Sequence, residues 1–229
     1  MPALGQNTVM ANNNHADREY AVIGLGDFGA SLARRLASMG HPVLGIDQDA
    51  ERVQSLADEL ADVAILDATN DDALNEVNIT SFHTVVVAIS GDFAANALIT
   101  SSLKRMGIVR VICQTATPRH RDILDRIGAD MVILPYEESG SRLAEMLSTA
   151  GILGYITLGS EHILVQAYVP GAYVSKTIDS ACERQHISVL LVQRGDELMI
   201  SPSLATVLEP YDMVFVVGAR SAVTRWLER

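Results

Sequence analysis

The sequence contains no long hydrophobic run and is poor in positive charge. None of the apolar stretches in its 229 residues approaches the roughly 20 residues that a membrane-spanning helix needs. The formal net charge of −11 argues against a nucleic-acid partner that is held through its phosphates. A free nucleotide is not excluded, because backbone N–H groups alone can bind its phosphates.

Cysteine is also scarce, and the N-terminus lacks the features of a targeting segment. Cys113 and Cys182 are far apart and belong to no C-x-x-C motif, so we expect free thiols in a reducing compartment. Residues 1–17 contain neither the basic segment nor the apolar segment of a signal peptide. We expect this stretch to be a disordered tail.

Short apolar runs rich in β-branched residues alternate with amphipathic stretches over residues 18–137. The runs read YAVIG, PVLGID, VAILD, TVVVAIS, VRVICQT and MVILP. They are continuously apolar, as strands of a parallel sheet covered on both faces are. Asp49 can cap the second helix, and Thr69 or Asn70 can cap the third. This pattern predicts an α/β domain with a doubly wound, Rossmann-like parallel sheet.

The pattern changes after Pro135, where a second and smaller domain is predicted. Residues 138–154 are predicted to form a helix and linker. Residues 155–229 then contain the apolar runs HILVQAYV, ISVLLVQR, LMIS and MVFVVG, and the helical stretches TIDSACERQ and ARSAVTRWLE. The stretch Gly195-Asp196-Glu197 predicts a hairpin turn between two of these strands. We expect a small α+β module.

A glycine-rich loop joins the first predicted strand to the first predicted helix, in the stretch VIGLGDFGAS. Its G-x-G-x-x-G spacing gives a tight turn at the first glycine, phosphate access at the second and helix packing at the third. A nucleotide diphosphate is the ligand that this arrangement favours. The predicted ligand contacts of the loop are Gly24, Leu25, Gly26, Asp27, Phe28 and Gly29.

Asp47 ends the second predicted strand, about 20 residues after the glycine loop. An acid at this place accepts hydrogen bonds from the two hydroxyls of an adenosine ribose and disfavours a 2′-phosphate. The alternative is a charge that favours the N-terminus of the next helix. The other predicted contacts lie where the second, third and fourth strands end, and they are Gln48, Asp67, Ala68, Thr69, Ala88 and Ile89.

Arg119 and Arg121 follow the fifth predicted strand, and they either reach the rim of this site or form a solvated helix start.

The sequence offers few candidates for catalytic groups. A dehydrogenase needs a proton donor beside the nicotinamide, and His162 and His186 both stand at predicted strand edges. The sequence therefore predicts binding without catalysis. A small NAD-dependent oxidoreductase and a free-standing nucleotide sensor stay open as alternatives.

Three stretches occur together with the C-terminal module: AVIGLGDFGASLARRLASMGHPVLGIDQDAERV, DAT and IGADMVILPYEESGSRLAEML. In this combination the sequence resembles the TrkA/KtrA family, the regulatory subunits of bacterial potassium-uptake systems. The resemblance covers residues 18–229. It implies an RCK (TrkA-N) nucleotide-binding domain followed by a TrkA-C domain.

The family resemblance also implies an assembly and a set of ligands. It implies a non-enzymatic, cytoplasmic gating subunit, held at the inner face of the membrane by a TrkH- or KtrB-like potassium-translocating partner. Homodimers form through a swapped crossover helix, expected at about 138–150, and build an octameric ring. ATP, ADP or NAD(H) binds at the glycine loop and changes the shape of the ring, and cyclic di-AMP binds the C-terminal domain.

Two positions depart from the family pattern at the phosphates. KtrA-like members commonly carry arginine in GLGRFG, where it can meet the terminal phosphate of ATP, but this chain has Asp27. Tyr136 stands where a cation-binding glutamate is often found, and Glu137 and Glu138 are shifted. We expect a preference for ADP or NAD(H) over ATP, or a contact of Asp27 with a cation or a neighbouring subunit. The alternative is a first-turn acid that suits the helix dipole.

The C-terminal half carries two weaker signals. Ile178, Asp179 and Pro202 loosely match the cyclic di-AMP cleft of the family, but Cys182 stands where an arginine is often found, and Arg184 is the arginine that could replace it. A module that serves only to form the dimer is the alternative, and it is the one we favour. Residues 143–158 favour obligate association, and an ordinary core-facing helix is the alternative. The apolar residues behind this prediction are Met146, Leu147, Ile152, Leu153 and Ile156.

Overall fold

A computed structural model describes residues 19–148, 151–183 and 185–229. The predicted tail at residues 1–17 and Arg184 lie outside the described residues. The chain divides into two compact units, the first ending at Tyr136 and the second beginning at Glu137. In the described part of the chain, every helix is too short or too polar to cross a bilayer.

The first unit is built on a six-stranded parallel sheet. Its strands are β1 (Tyr20–Ile23), β2 (Val43–Asp47), β3 (Asp62–Ile65), β4 (Thr84–Val87), β5 (Arg110–Gln114) and β6 (Met131–Ile133). They lie in the order β3-β2-β1-β4-β5-β6, and each neighbouring pair is parallel. The order reverses between β1 and β4, which is the topological switch point where ligands bind in open α/β sheets.

Helices connect these strands, and apolar residues cover both faces of the sheet. The helices are α1 (Asp27–Ser38), α2 (Ala50–Gln54), α3 (Asp71–Glu76), α4 (Phe93–Arg105) and α5 (Pro118–Ile127). Side chains alternate across the strands, so that Val22 and Val86 pack on one face while Ile23 and Val87 pack on the other. The predicted doubly wound parallel sheet is confirmed.

The prediction of full coverage on both faces is wrong for the third strand. Among the described residues β3 pairs with β2 alone, and both Asp62 and Ile65 are exposed. The reason is its position at the edge of the sheet, where one side of the strand has no neighbour.

The second unit contains an antiparallel five-stranded sheet. Helix α6 (Pro135–Ser148) runs through the division between the units. The strands are β7 (Ile152–Leu158), β8 (His162–Tyr168), β9 (Ile187–Arg194), β10 (Glu197–Ile200) and β11 (Met213–Ala219), in the order β10-β9-β11-β8-β7. Two helices, α7 (Ile178–Cys182) and α8 (Arg220–Leu227), pack against it. The predicted α+β module is confirmed.

Turn chemistry explains one success and one difference in this unit. The predicted hairpin joins β9 to β10, with Gly195 at a φ of +58°. Residues 152–154, which we predicted as helix or linker, instead begin β7. Gly151 has a φ of +85°, which an L side chain rarely adopts, and the β-branched Ile152 and Ile156 favour a strand after it.

Candidate functional site

The carboxyl ends of the central strands open onto a crevice of about 650 Å³ in the first unit. This volume is typical of a small-molecule site. Many of the predicted contacts line it, although they come from four separate loops. These are Gly24, Gly26, Asp47, Gln48, Asp67, Ala68, Thr69, Ala88 and Ile89.

The three positions of the loop require glycine for different structural reasons. Gly24 has a φ of +94°, and a Cβ there would lie 2.9 Å from the carbonyl oxygen of Ala88. A Cβ at Gly29 would lie 1.9 Å from the carbonyl oxygen of Gly24. Gly26, in contrast, has ordinary extended backbone, and the nearest atom to its Cβ would be Nη1 of Arg52 at 4.0 Å. Two glycines therefore serve the fold, whereas Gly26 keeps space open at the crevice.

Gly26 also leaves the N-terminus of α1 without a side-chain cap. The first N–H groups of a helix have no partner inside the helix. In helices α2, α3, α4 and α5, a side-chain oxygen at the N-cap accepts from at least one of these N–H groups. The capping residues are Asp49, Asn70, Asp92 and Thr117, in that order. Asn70, rather than Thr69, thus caps α3. The open N-terminus of α1 has the geometry of an anion-binding site.

Asp47 is 8% exposed and is held by backbone donors on both oxygens. Its Oδ2 accepts a hydrogen bond from the N–H of Leu25 at 2.7 Å, and its Oδ1 accepts one from the N–H of Asp49 at 2.9 Å. Each carboxylate oxygen has two acceptor sites, so each retains one. Asp47 therefore holds the glycine loop in place and can still accept one hydrogen bond from each of two ligand hydroxyl groups.

Arg52 is a crevice residue that the sequence analysis did not single out. Its guanidinium lies 3.7 Å from Oδ2 of Asp47 and 3.6 Å from Oδ2 of Asp49. It lines both the crevice and a neighbouring depression of about 470 Å³. Its position in the first turn of α2, three residues after the capping Asp49, was the available signal. The other crevice residues not predicted include Ser90, Gly91, Asp92, Ala95 and Ile99.

One fixed polar group, Asp67, lines the crevice, and another, Asn96, lies behind it. Asp67 accepts hydrogen bonds from the hydroxyl of Thr69 at 2.7 Å and from its N–H at 2.9 Å, and these bonds lower the pKa of Asp67. Asn96 is 1% exposed, and its Nδ2 donates to the carbonyl oxygens of Ile89 at 2.7 Å and Gln114 at 2.8 Å. Asn96 therefore ties the loop after β4 to the end of β5 behind the crevice.

Some predicted contacts lie away from the crevice wall. Leu25 is buried, Phe28 packs against the core, and Gly29 lies in the first turn of α1. Asp27 is exposed and faces the neighbouring depression, which Arg34 also lines.

Five further residues that the sequence analysis considered are absent from the crevice wall. They are two arginines after β5 and three residues at the start of α6. Arg119 is exposed, and Arg121 donates to the carbonyl oxygen of Val132 at 3.1 Å. Tyr136, Glu137 and Glu138 are exposed in the first turn of α6. The crevice wall is therefore built without any of these five residues.

The thiols are free, as the sequence predicts. Burial raises the pKa of Cys113 to about 11, and burial also raises the pKa of Cys182. His162 begins β8, and His186 precedes β9, so both stand at strand ends as expected. Within residues 19–148, 151–183 and 185–229, His, Cys, Asp and Glu form no group that could hold a metal ion.

The residues considered for cyclic di-AMP lie in the second unit. Ile178 is buried in its core, whereas Asp179 is exposed and Pro202 is half-buried. Cys182 is half-buried at the end of α7. A ligand on this surface would therefore meet Asp179 and Pro202 before it met Ile178.

Known proteins similar to this chain match it along most of its length. Ktr system potassium uptake protein A of Bacillus subtilis (strain 168) is 30% identical over 212 residues, which are 92% of this chain and 96% of that protein. Ktr system potassium uptake protein C of the same organism is 29% identical over 214 residues, which are 93% of this chain and 97% of that protein.

Solved structures share the fold at lower sequence identity. The GsuK RCK domain superposes with a TM-score of 0.67 and 18% identity, over 94% of this chain and 49% of that chain. The GsuK channel bound to NAD superposes with a TM-score of 0.63 and 19% identity, over 94% of this chain and 39% of that chain. The chain thus spans half or less of the length of these structures.

The TrkA-N domain model matches residues 20–135, about half of the chain. That span begins at the first residue of β1 and ends just after β6, so it contains the whole crevice. The chain belongs to the TrkA-N domain family.

Proposed function

We propose that this chain is a nucleotide-binding regulatory subunit of a potassium-uptake system. The observation that carries the proposal is the open face of Gly26, beside the uncapped N-terminus of α1 and the two remaining acceptor sites of Asp47. The similarity to the Ktr proteins over nearly their whole length supports the potassium-uptake role.

The ligand that fits these groups is an adenine nucleotide. The ribose hydroxyls would donate to Asp47, and a diphosphate would accept from the N–H groups of α1 across Gly26. The adenine would lie against the loop after β3, at Asp67, Ala68 and Thr69. The GsuK channel, which shares this fold, has been solved with NAD. We include Leu25, Phe28 and Gly29 in the site because they fix the loop that carries these donors.

We propose that ADP or NAD(H), rather than ATP, is the preferred ligand. Asp27 is an exposed acid at the first position of α1, next to the phosphate-binding N-terminus. A third phosphate would bring further negative charge towards this carboxylate, and solvent screening limits the repulsion. An acid that merely suits the helix dipole is the competing interpretation, and it predicts no effect on ligand choice.

The regulatory mechanism requires a difference in affinity rather than turnover. A nucleotide moves a coupled channel only if it binds one conformation of the assembly better than another. We propose a homodimer that assembles into an octameric ring on a TrkH- or KtrB-like membrane partner, at the cytoplasmic face. Leu143 and Leu147 of α6 are 56% and 78% exposed, which supports burial of this helix against another copy of the chain.

The test is a thermal-unfolding titration of the purified chain with ATP, ADP, AMP, NAD⁺, NADH and cyclic di-AMP, each with and without Mg²⁺. A ligand that binds only the folded state raises the unfolding temperature as its concentration rises above Kd. We expect ADP or NAD(H) to give the largest shift, with little dependence on Mg²⁺. If no adenine nucleotide shifts the transition, the proposal is wrong.

Cyclic di-AMP forms a separate arm of this titration. We expect any shift that it causes to survive the substitution Gly26→Ala, because its predicted cleft lies in the second unit. A shift that Gly26→Ala abolishes would instead assign cyclic di-AMP to the crevice.

A further inference from the structure

The charges that line the crevice are mostly negative. Asp47, Asp67 and Asp92 contribute carboxylates, and Arg52 is the one cation among the described residues of the wall. A nucleotide diphosphate adds negative charge to this wall. Backbone N–H groups compensate part of that charge, and Arg52 is the side chain placed to compensate more.

The Arg52 guanidinium is held loosely in the present structure. Its distances of 3.7 Å to Asp47 and 3.6 Å to Asp49 are too long for hydrogen bonds. Its side chain is 54% exposed, and a guanidinium offers five N–H donors in a planar fork. Arg34, the other arginine of the neighbouring depression, is different: its Nε lies 2.9 and 3.0 Å from the two oxygens of Glu59.

Arg52 is also positioned at the open face of the glycine loop. Its Nη1 is the nearest atom to the place where a Cβ on Gly26 would lie, at 4.0 Å. The crevice and the neighbouring depression share both Gly26 and Arg52 in their walls. A rotation of one exposed side chain therefore moves its donors across the opening that Gly26 leaves, without any change in the backbone.

We propose that Arg52 is a specificity-determining residue that binds the phosphates of the ligand. This inference rests on the proposed function. The positive charge comes from α2, because the loop position that could supply it carries Asp27. The ligand class that Arg52 selects is a nucleoside with a diphosphate, either ADP or the diphosphate of a dinucleotide, over the bare nucleoside.

The test compares adenosine, ADP, NAD⁺ and NADP⁺ on the wild type and on Arg52→Gln by isothermal titration calorimetry. We expect Arg52→Gln to lower the affinities for ADP and NAD⁺ about tenfold and to leave the affinity for adenosine within about twofold of the wild-type value. Arg52→Lys keeps the charge but loses the fork, so we expect an intermediate loss of about threefold. Arg34→Gln is the matched control, and we expect all four affinities within about twofold of the wild type.

Three results would overturn the inference while leaving the proposed function intact. Arg52→Gln could bind ADP as tightly as the wild type. The affinity of Arg52→Gln for adenosine could fall as much as its affinity for ADP, which would mean that Arg52 acts by holding Asp47 in place. The wild type could also prefer NADP⁺ to NAD⁺ and lose that preference in Arg52→Gln, which would assign Arg52 to a 2′-phosphate. If the wild type binds none of the four ligands, the proposed function fails first and the inference with it.

Discussion

Each unit contains a buried carboxylate beside an arginine, but the two pairs differ in how completely they are bonded. Asp212, in the second unit, is 0% exposed and accepts hydrogen bonds from Nε and Nη2 of Arg194 at 2.9 and 2.8 Å and from the N–H of Glu209 at 2.8 Å. Asp47, in the first unit, has its arginine 3.7 Å away. The more completely bonded carboxylate of Asp212 serves the fold, and the carboxylate of Asp47 retains two acceptor sites for a ligand.

The largest difference is expected when the arginine of each pair is removed. Arg194→Gln leaves the carboxylate of Asp212 buried and uncompensated, and we expect a loss of about 3 kcal/mol in the free energy of unfolding. Arg52→Gln removes a long contact from an exposed arginine, and Asp47 keeps its two backbone donors, so we expect a change within about 1 kcal/mol. Urea unfolding followed by circular dichroism, which reports on both units, measures both variants, and the fluorescence of Trp226, the single tryptophan and a buried residue of the second unit, follows Arg194→Gln separately. Equal losses in the two variants would contradict this distinction.

Substitutions in the glycine loop sharpen the same contrast between fold and ligand. We expect Gly26→Ala to change the free energy of unfolding by less than about 1 kcal/mol, because its φ of −67° suits alanine whereas alanine is a poorer N-cap than glycine. The added methyl group blocks the opening, so we expect ADP binding to weaken at least about tenfold, as measured by calorimetry. Gly29→Ala is the control, and its clash with the carbonyl of Gly24 should cost about 3 kcal/mol or more. Tight ADP binding by Gly26→Ala would show that the opening is not used.

The bonding of Asp212 also sets a pH dependence. Burial raises its pKa, but hydrogen bonds from Arg194 and from the N–H of Glu209 outweigh burial, so the pKa of Asp212 lies below its ordinary value. The folded state therefore binds this proton less readily than the unfolded state. The resulting stability is present above the unfolded pKa of about 3.9 and is lost as the pH falls through the folded pKa.

We therefore expect the stability gap between the wild type and Arg194→Gln to narrow below about pH 4. Urea unfolding at pH 7, 5, 4 and 3 measures this gap. A gap that stays constant down to pH 3 would mean that Arg194 stabilises the unit through packing rather than through the charge of Asp212.

The smallest effect is expected at Asp27, because its carboxylate is exposed and screened by solvent. We expect Asp27→Arg to raise the affinity for ATP relative to ADP several-fold, by replacing a repulsion with an attraction. Asp58→Arg makes the same change in net charge at another exposed position and should leave the ratio of affinities unchanged. An unchanged ratio in Asp27→Arg would leave Asp27 as an acid that suits the helix dipole.

Local patterns in the sequence predict most of the fold. The six parallel strands and the antiparallel module follow from runs of apolar, β-branched residues between capping and turn residues. β7 was missed because its apolar residues continue those of the preceding helix, and the φ of Gly151 that separates them is a property of the folded backbone. The exposure of Asp62 and Ile65 in β3 depends on the order of strands in the sheet, which the run VAILD does not contain.

The candidate site divides in the same way. Gly26 and Asp47 were predicted because each belongs to a motif with fixed spacing. Asn96 and Arg52 were not, since their positions depend on segments that approach only in the folded chain: Asn96 meets Ile89 and Gln114, and Arg52 meets the opening at Gly26. For Asn96 the sequence carries no signal for such a contact, and for Arg52 the one signal is its place in the first turn of α2, three residues after the capping Asp49.

The most direct measurement is residue-resolved hydrogen exchange of the N–H groups of Asp27, Phe28 and Gly29, with and without ADP. These groups form the open N-terminus of α1 next to the remaining acceptors of Asp47. We expect ADP to slow their exchange more than that of any amide in β9 or β11 of the second unit. Unchanged exchange at these three amides under saturating ADP would contradict the assignment of the crevice as the nucleotide site.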